Sequence, residues 1–225
     1  MPLTVVSLCT YLTRGPWGPD DHTALKFIKA LKGTPFNGYA MFPVGSNKMR
    51  LVSGDQAAAT ACFAKVASHH LVQEKMCGES PVRLVPIPSS NAVNGKKFTR
   101  FPARNMANLL AAALVDRGVE DVRVADILRW KAPKPASHTG GSRDALMLYQ
   151  NLLVTEMLDE EASYVLVDDV CTGGGHLRAS ARRIEKADGS VAFGVCAGRT
   201  AQESPDDPLA IITEPLRDLI VPKGW

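Results

Sequence analysis

The stretch from Ser163 to Ser180, S-Y-V-L-V-D-D-V-C-T-G-G-G-H-L-R-A-S, constrains this chain more than any other. A short apolar run, Tyr164 to Val167, ends in two adjacent acids, Asp168 and Asp169; a threonine, three glycines and a helix start follow. An apolar run rich in β-branched residues and closed by turn residues reads as a strand buried on both faces, as in a parallel sheet. Gly173, Gly174 and Gly175 allow the backbone to approach a ligand, and the N–H groups opening the next helix can hold an anion. Acids at a strand's carboxyl end, with an anion cradle just beyond, suit a ligand that carries both hydroxyls and phosphate. An isolated Asp-Asp pair would read as an N-cap or as solvated loop charge. Placed between an apolar strand and T-G-G-G, the pair reads as a ligand site.

The rest of the chain alternates strand and helix patterns. Residues 3–12 predict a strand closed by the Gly15–Pro19 turn cluster, and Asp20 or Asp21 could cap a helix from Thr23 to Leu31 with Leu25, Ile28 and Leu31 on one face. The lysines of that helix read as a solvated face. Residues 33–55 predict a hairpin or loop, and Gln56 to Leu71 a helix carrying His69 and His70, which point about 100° apart and cannot share a metal. Val82 to Ile87 is the next strand, ending in P-I-P-S-S-N. A helix from Pro102 to Arg117 follows, with Met106, Leu109, Leu110, Ala113 and Leu114 as its core stripe. Lys97, Arg100 and Arg104 near its start could face an acidic ligand or serve as solubilising charge. Val122 to Ile127 is a strand, and the segment from Arg129 to Asp144, rich in proline, glycine and basic residues, reads as a long loop. Such a loop is either a functional lid or a flexible basic insertion. After a short strand at 151–155 and the 163–180 stretch, Val191 to Ala197 and Ile211-Ile212 complete the set. The alternation argues for a parallel α/β sheet with helices on both faces.

Composition narrows the function classes. The 225 residues are 45% apolar and 22% charged with a formal net charge of +3, and no basic run exceeds two residues, so a nucleic-acid partner is not expected. Five dispersed cysteines without a C-x-x-C pair suggest neither a disulfide framework nor a zinc site; reduced thiols in the cytoplasm are the simple reading. Neither a signal peptide nor a bilayer-spanning run is expected.

The 163–180 stretch resembles the phosphoribosyl-pyrophosphate signature of the type I phosphoribosyltransferases: an apolar strand, two acids, two apolar or small residues, Thr-Thr-Gly, one variable residue and a further Thr. The match falls on Val165 to Val167, Asp168, Asp169, Val170, Thr172 and Gly174, while Gly173 and His176 stand where the family has threonine. The basic segment A-L-K-F-I-K-A-L-K-G and the proline pair in P-I-P-S-S-N resemble the ComF-like branch, here without its N-terminal zinc ribbon. The resemblance implies a type I phosphoribosyltransferase core over residues 81–225, with residues 1–80 as an N-terminal α+β attachment or hood packed on it. It implies that Asp168 and Asp169 accept hydrogen bonds from ribose hydroxyls, and that Thr172, Gly173, Gly174, Gly175 and His176 hold a phosphate. Ser89 and Ser90 would cradle pyrophosphate. Lys131 and Lys134 would stabilise the departing charge, with His138 and Arg143 on the same catalytic loop. Mg²⁺ would be held mainly by the substrate, with Asp168 and Asp169 as its protein contacts. The implied reaction is transfer of a phosphoribosyl group to a nitrogenous acceptor with release of pyrophosphate, in a protein that could form a homodimer. The alternative is a non-catalytic ribose-phosphate sensor on the same fold.

Overall fold

In a computed structural model, residues 2–96, 101–133 and 144–222 are described. In chain order the elements are β1 (Thr4–Ser7), β2 (Thr10–Leu12), α1 (Pro19–Lys32), β3 (Tyr39–Val44), β4 (Asn47–Val52), α2 (Gln56–Gln73), β5 (Val82–Pro86) and α3 (Pro102–Val115). They continue as β6 (Val122–Val124), β7 (Leu128–Trp130), α4 (Ala145–Asn151), β8 (Leu152–Val154), β9 (Ser163–Cys171), α5 (Gly175–Glu185), β10 (Ser190–Ala201) and β11 (Ile212–Pro215).

The chain is a mixed α/β protein whose central sheet is mostly parallel and is flanked by helices on both faces. The sheet order is β11-β1-β10-β9-β5-β6, with β2 also paired to β10. Among the described strands of this sheet only β11 runs antiparallel, against β1. β9 lies near the middle, and its side chains explain why: Val165 and Val167 enter one apolar cluster, Tyr164 and Leu166 the other. Phe27, Phe63 and Met106, from α1, α2 and α3, fill the first cluster; Leu148 of α4 and Leu177 and Ile184 of α5 fill the second. A run apolar at every position is what a strand covered on both faces requires.

β1 and β2, from the 1–80 segment, are strands of this same sheet; they pair in line along β10, Val5 opposite Gly194 and Thr10 opposite Arg199. Gly198 sits where they meet, and a Cβ there would come within 2.9 Å of Ile28 Cδ1. Helix α1 begins earlier than the spacing predicts. Gly18 is its N-cap, and the Asp21 carboxylate accepts from the Gly18 N–H at 2.9 Å.

Three expectations are corrected. β9 does not stop at Val167 but runs through both acids to Cys171, because β10 continues to pair with it. On α3, Leu109 is 42% exposed; the stripe that packs is Ala103, Met106, Ala107, Leu110 and Leu114, one residue round the helix. The segment expected to be loop from Arg129 opens as β7, which pairs antiparallel with β8 in a separate small sheet. Arg129 is therefore not a loop cation: its guanidinium grips the Asp126 carboxylate at 2.7 Å. Among the described residues no helix is long and apolar enough to cross a membrane.

Candidate functional site

The site forms where neighbouring strands end unevenly. β5 pairs with β9 only as far as Pro86 opposite Val167, and Ile87 closes the ladder by donating to the Val167 carbonyl at 2.9 Å. Beyond that point β9 keeps only its β10 partner, up to Cys171 opposite Arg199. The chain leaves β5 at Pro88, so a crevice opens between the 88–90 loop and the end of β9. On one side of this crevice the order runs outward to β6, on the other to β10 and β1. Such a reversal at strand carboxyl ends is where open α/β sheets take ligands.

The crevice is a cavity of about 490 Å³. Its lining includes Ser89, Ser90, Asp168, Asp169, Thr172, Gly173, Gly174, Gly175 and His176, so the fold brings these sequence-predicted residues together. Lys131 is exposed at the end of β7 and does not appear among the lining residues. Lys134, His138 and Arg143, with Lys97 and Arg100, lie outside the described residues. Arg104 faces Asp126, with Nε 3.5 Å from the carboxylate.

The two acids are tightly linked. The Asp169 N–H donates to Asp168 Oδ1 at 2.8 Å, and Lys32 Nζ, at the end of α1, lies 3.5 Å from Asp169 Oδ2. Burial first, and the Asp169 charge second, raise the Asp168 carboxyl well above the ordinary carboxylate range. A half-buried acid held, among the described residues, by a backbone N–H has room for a further hydrogen-bond donor or a cation. Cys171 is no competing nucleophile, since burial raises its thiol to about 11.

The cradle loop depends on glycine at one position in particular. Gly174 caps α5 at φ +67°, and a Cβ there would collide with Leu216 Cδ1. Gly173 differs: nothing lies within 4 Å of the place a Cβ would take. The hydroxyl expected from the resemblance is absent there, but space for one exists.

Sequence reasoning missed two residues that shape the site. Lys32 reads as one of several solvated lysines, yet the helix end delivers it to Asp169. Trp130 is 1% exposed, its indole N–H donates to the Ser89 carbonyl at 2.8 Å, and its ring meets His176 edge-on at 6.0 Å. It thereby ties the 88–90 loop to the first turn of α5. The only local signal for it is a tryptophan at the end of a short apolar run. Tyr11, Thr13 and Thr200 complete the wall formed by β2 and β10.

No group of three or more His, Cys, Asp or Glu side chains able to hold a metal occurs among the described residues. The donor set fits Mg²⁺ only in the form that leaves most of its oxygens to substrate and water, with Asp168 or Asp169 contributing.

No family model matches the chain, and no curated protein matches it. Among solved structures it is similar to an adenine phosphoribosyltransferase from Trypanosoma brucei, solved in complex with AMP, pyrophosphate and ribose-5-phosphate. That likeness has 11% identity and a TM-score of 0.41, covering 89% of this chain and 85% of the other. At that level it adds no weight to the reading of the site, which stands on the residues themselves.

Proposed function

We propose that the protein binds phosphoribosyl pyrophosphate and transfers its phosphoribosyl group to a nitrogenous acceptor, in the manner of the ComF-like phosphoribosyltransferases it resembles in sequence. The supporting observation is that one cavity gathers the acid pair, the glycine cradle and the 88–90 loop at the carboxyl ends of β5 and β9. Asp168 and Asp169 accept hydrogen bonds from the ribose hydroxyls, which supplies donors to the Asp168 carboxyl that burial raises. The N–H groups of 172–175 hold the 5′-phosphate at the start of α5. The 88–90 loop, steadied by Trp130, takes the pyrophosphate.

The bond from the anomeric carbon to pyrophosphate oxygen breaks as the bond to acceptor nitrogen forms, and the acceptor gives up a proton. Positive charge on the sugar ring in that transition state is stabilised by the two carboxylates beneath it. Mg²⁺ would neutralise pyrophosphate charge when bound with the substrate. The acceptor enters from the wall of Tyr11, Thr13 and Thr200, and we place the reaction in the cytoplasm, consistent with the free cysteines.

A sensor without turnover is the second reading, favoured by the missing hydroxyl at Gly173 and by Lys131 lying off the cavity. Calorimetry with phosphoribosyl pyrophosphate and Mg²⁺, followed by a pyrophosphate-release assay across a panel of nitrogenous bases, separates the two. Binding with release establishes the transferase, binding without release the sensor. No binding at millimolar ligand rejects both.

A further inference from the structure

We infer that the protein carries a second anion site, for a phosphate-type dianion, on the far side of the 172–174 loop. A separate cavity of about 250 Å³ opens there, with Thr172, Gly173, Arg178, Arg199, Glu214 and Arg217 in its lining. Its charged lining residues are three arginines and one glutamate, a surplus of two positive charges. The single acid is already engaged, because Glu214 of β11 forms an ion pair with Arg199 of β10.

Arg178 supplies the second, independent observation. It projects from α5, and its Nη2 donates to the Gly173 carbonyl at 3.3 Å. Its Nε is buried and has no acceptor among the described residues. A buried donor left unmade is costly, and because Arg178 is half-buried and lines the cavity, an oxygen anion drawn in there pairs with its guanidinium once the side chain turns Nε outward. Arg217 is exposed at the rim. Arginines that line one cavity from a helix, a strand and the segment after β11 suit the several oxygens of a phosphate better than the two of a planar carboxylate. The volume admits inorganic phosphate or the phosphate head of a larger ester, and is about half that of the acid-lined cavity. The two cavities meet only through the backbone and side chains of residues 171–173. The site does not depend on the transferase reading, since none of its charged residues lines the first cavity.

The test uses the full chain and inorganic phosphate, followed by calorimetry, with each variant's fold checked by thermal melting. His176→Glu places negative charge in the first cavity only and repels phosphate there. In that background one phosphate still binds, and adding Arg178→Gln and Arg217→Gln weakens it by about tenfold or more. Glu214→Gln removes the opposing charge and frees Arg199, so it tightens binding severalfold, a gain that a misfolded protein cannot produce. Methyl phosphate in place of phosphate distinguishes an esterified ligand from the free ion: equal or tighter binding assigns an ester, and at least tenfold weaker binding assigns the free ion. The site is overturned if His176→Glu alone abolishes phosphate binding, if the arginine substitutions leave it unchanged, or if Glu214→Gln weakens it.

Discussion

At the amino-terminal ends of β5, β6 and β9, the Arg83 guanidinium bridges the carboxylates of Asp121 and Asp159 at 3.1 and 3.0 Å, with Arg123 also on Asp121 at 3.0 Å. At the carboxyl end of β9, two adjacent carboxylates have, among the described residues, one lysine at 3.5 Å. The amino end is charge-matched by short contacts; the carboxyl end keeps an excess of negative charge partly out of water. The pKa directions follow. The Arg83 hydrogen bond holds Asp121 below its usual value, whereas burial and Asp169 push Asp168 above its own. The first arrangement is what a fold uses to fasten itself, and the second is what it tolerates where a ligand will supply the missing partners.

The largest effect expected comes from removing the acids. Asp168→Asn with Asp169→Asn loses charge-assisted hydrogen bonds to a ribose diol and weakens phosphoribosyl pyrophosphate on the order of 100-fold, read by calorimetry. Unchanged affinity would break the comparison, because the excess charge would then have no ligand.

Next in size is Gly174→Ala. A left-handed residue whose Cβ meets Leu216 is expected to cost about 1–3 kcal/mol in denaturant unfolding. Gly173→Thr, at the adjacent residue, has open space where its Cβ would sit and leaves stability nearly unchanged. It adds a hydroxyl to the cradle and tightens ligand binding severalfold.

The two ends also carry opposite pH signs. Asp121, with its folded pKa lowered, contributes stability at neutral pH that is lost as pH falls through that folded value. Asp168, with its folded pKa raised, opposes folding at neutral pH and is relieved as pH falls through its raised value into the ordinary carboxylate range. Asp168→Asn alone should therefore melt a few degrees higher than wild type at pH 7, with the gap closing at low pH. Arg83→Gln should melt a few degrees lower at pH 7, its gap closing as Asp121 protonates, with ligand affinity unchanged.

The smallest effect is at Trp130. Trp130→Phe keeps the ring against His176 but removes the indole donor, leaving the Ser89 carbonyl with the Ala92 N–H at 2.9 Å, so the 88–90 loop loses its tie to β7 and pyrophosphate binding should weaken by about threefold to tenfold. An unchanged value would place the 88–90 loop under other control.

Much of this molecule is legible in the order of its residues. The buried strand at 164–167, the helix from Gln56 and the strand at Val82 are all signalled by local periodicity and turn chemistry. So is the cradle, since glycine at a strand-to-helix turn has few other uses. The failures are equally specific. The β9 extension through Asp168 and Asp169 depends on β10 continuing beside it, and the strand at Leu128–Trp130 depends on β8. Pairing partners are not written in a strand's own residues.

By itself, then, the chain determined that an acid pair and a glycine loop would follow a buried strand, because those are covalent neighbours whose spacing no fold can alter. Only the tertiary structure decided what they face. It brought Lys32 to Asp169 and set Trp130 between Ser89 and His176. It also set three arginines behind the same loop, two of them from strand β10 and the segment after β11. Those meetings join residues far apart along the chain, and they arise from burying the two apolar clusters, which no local pattern records.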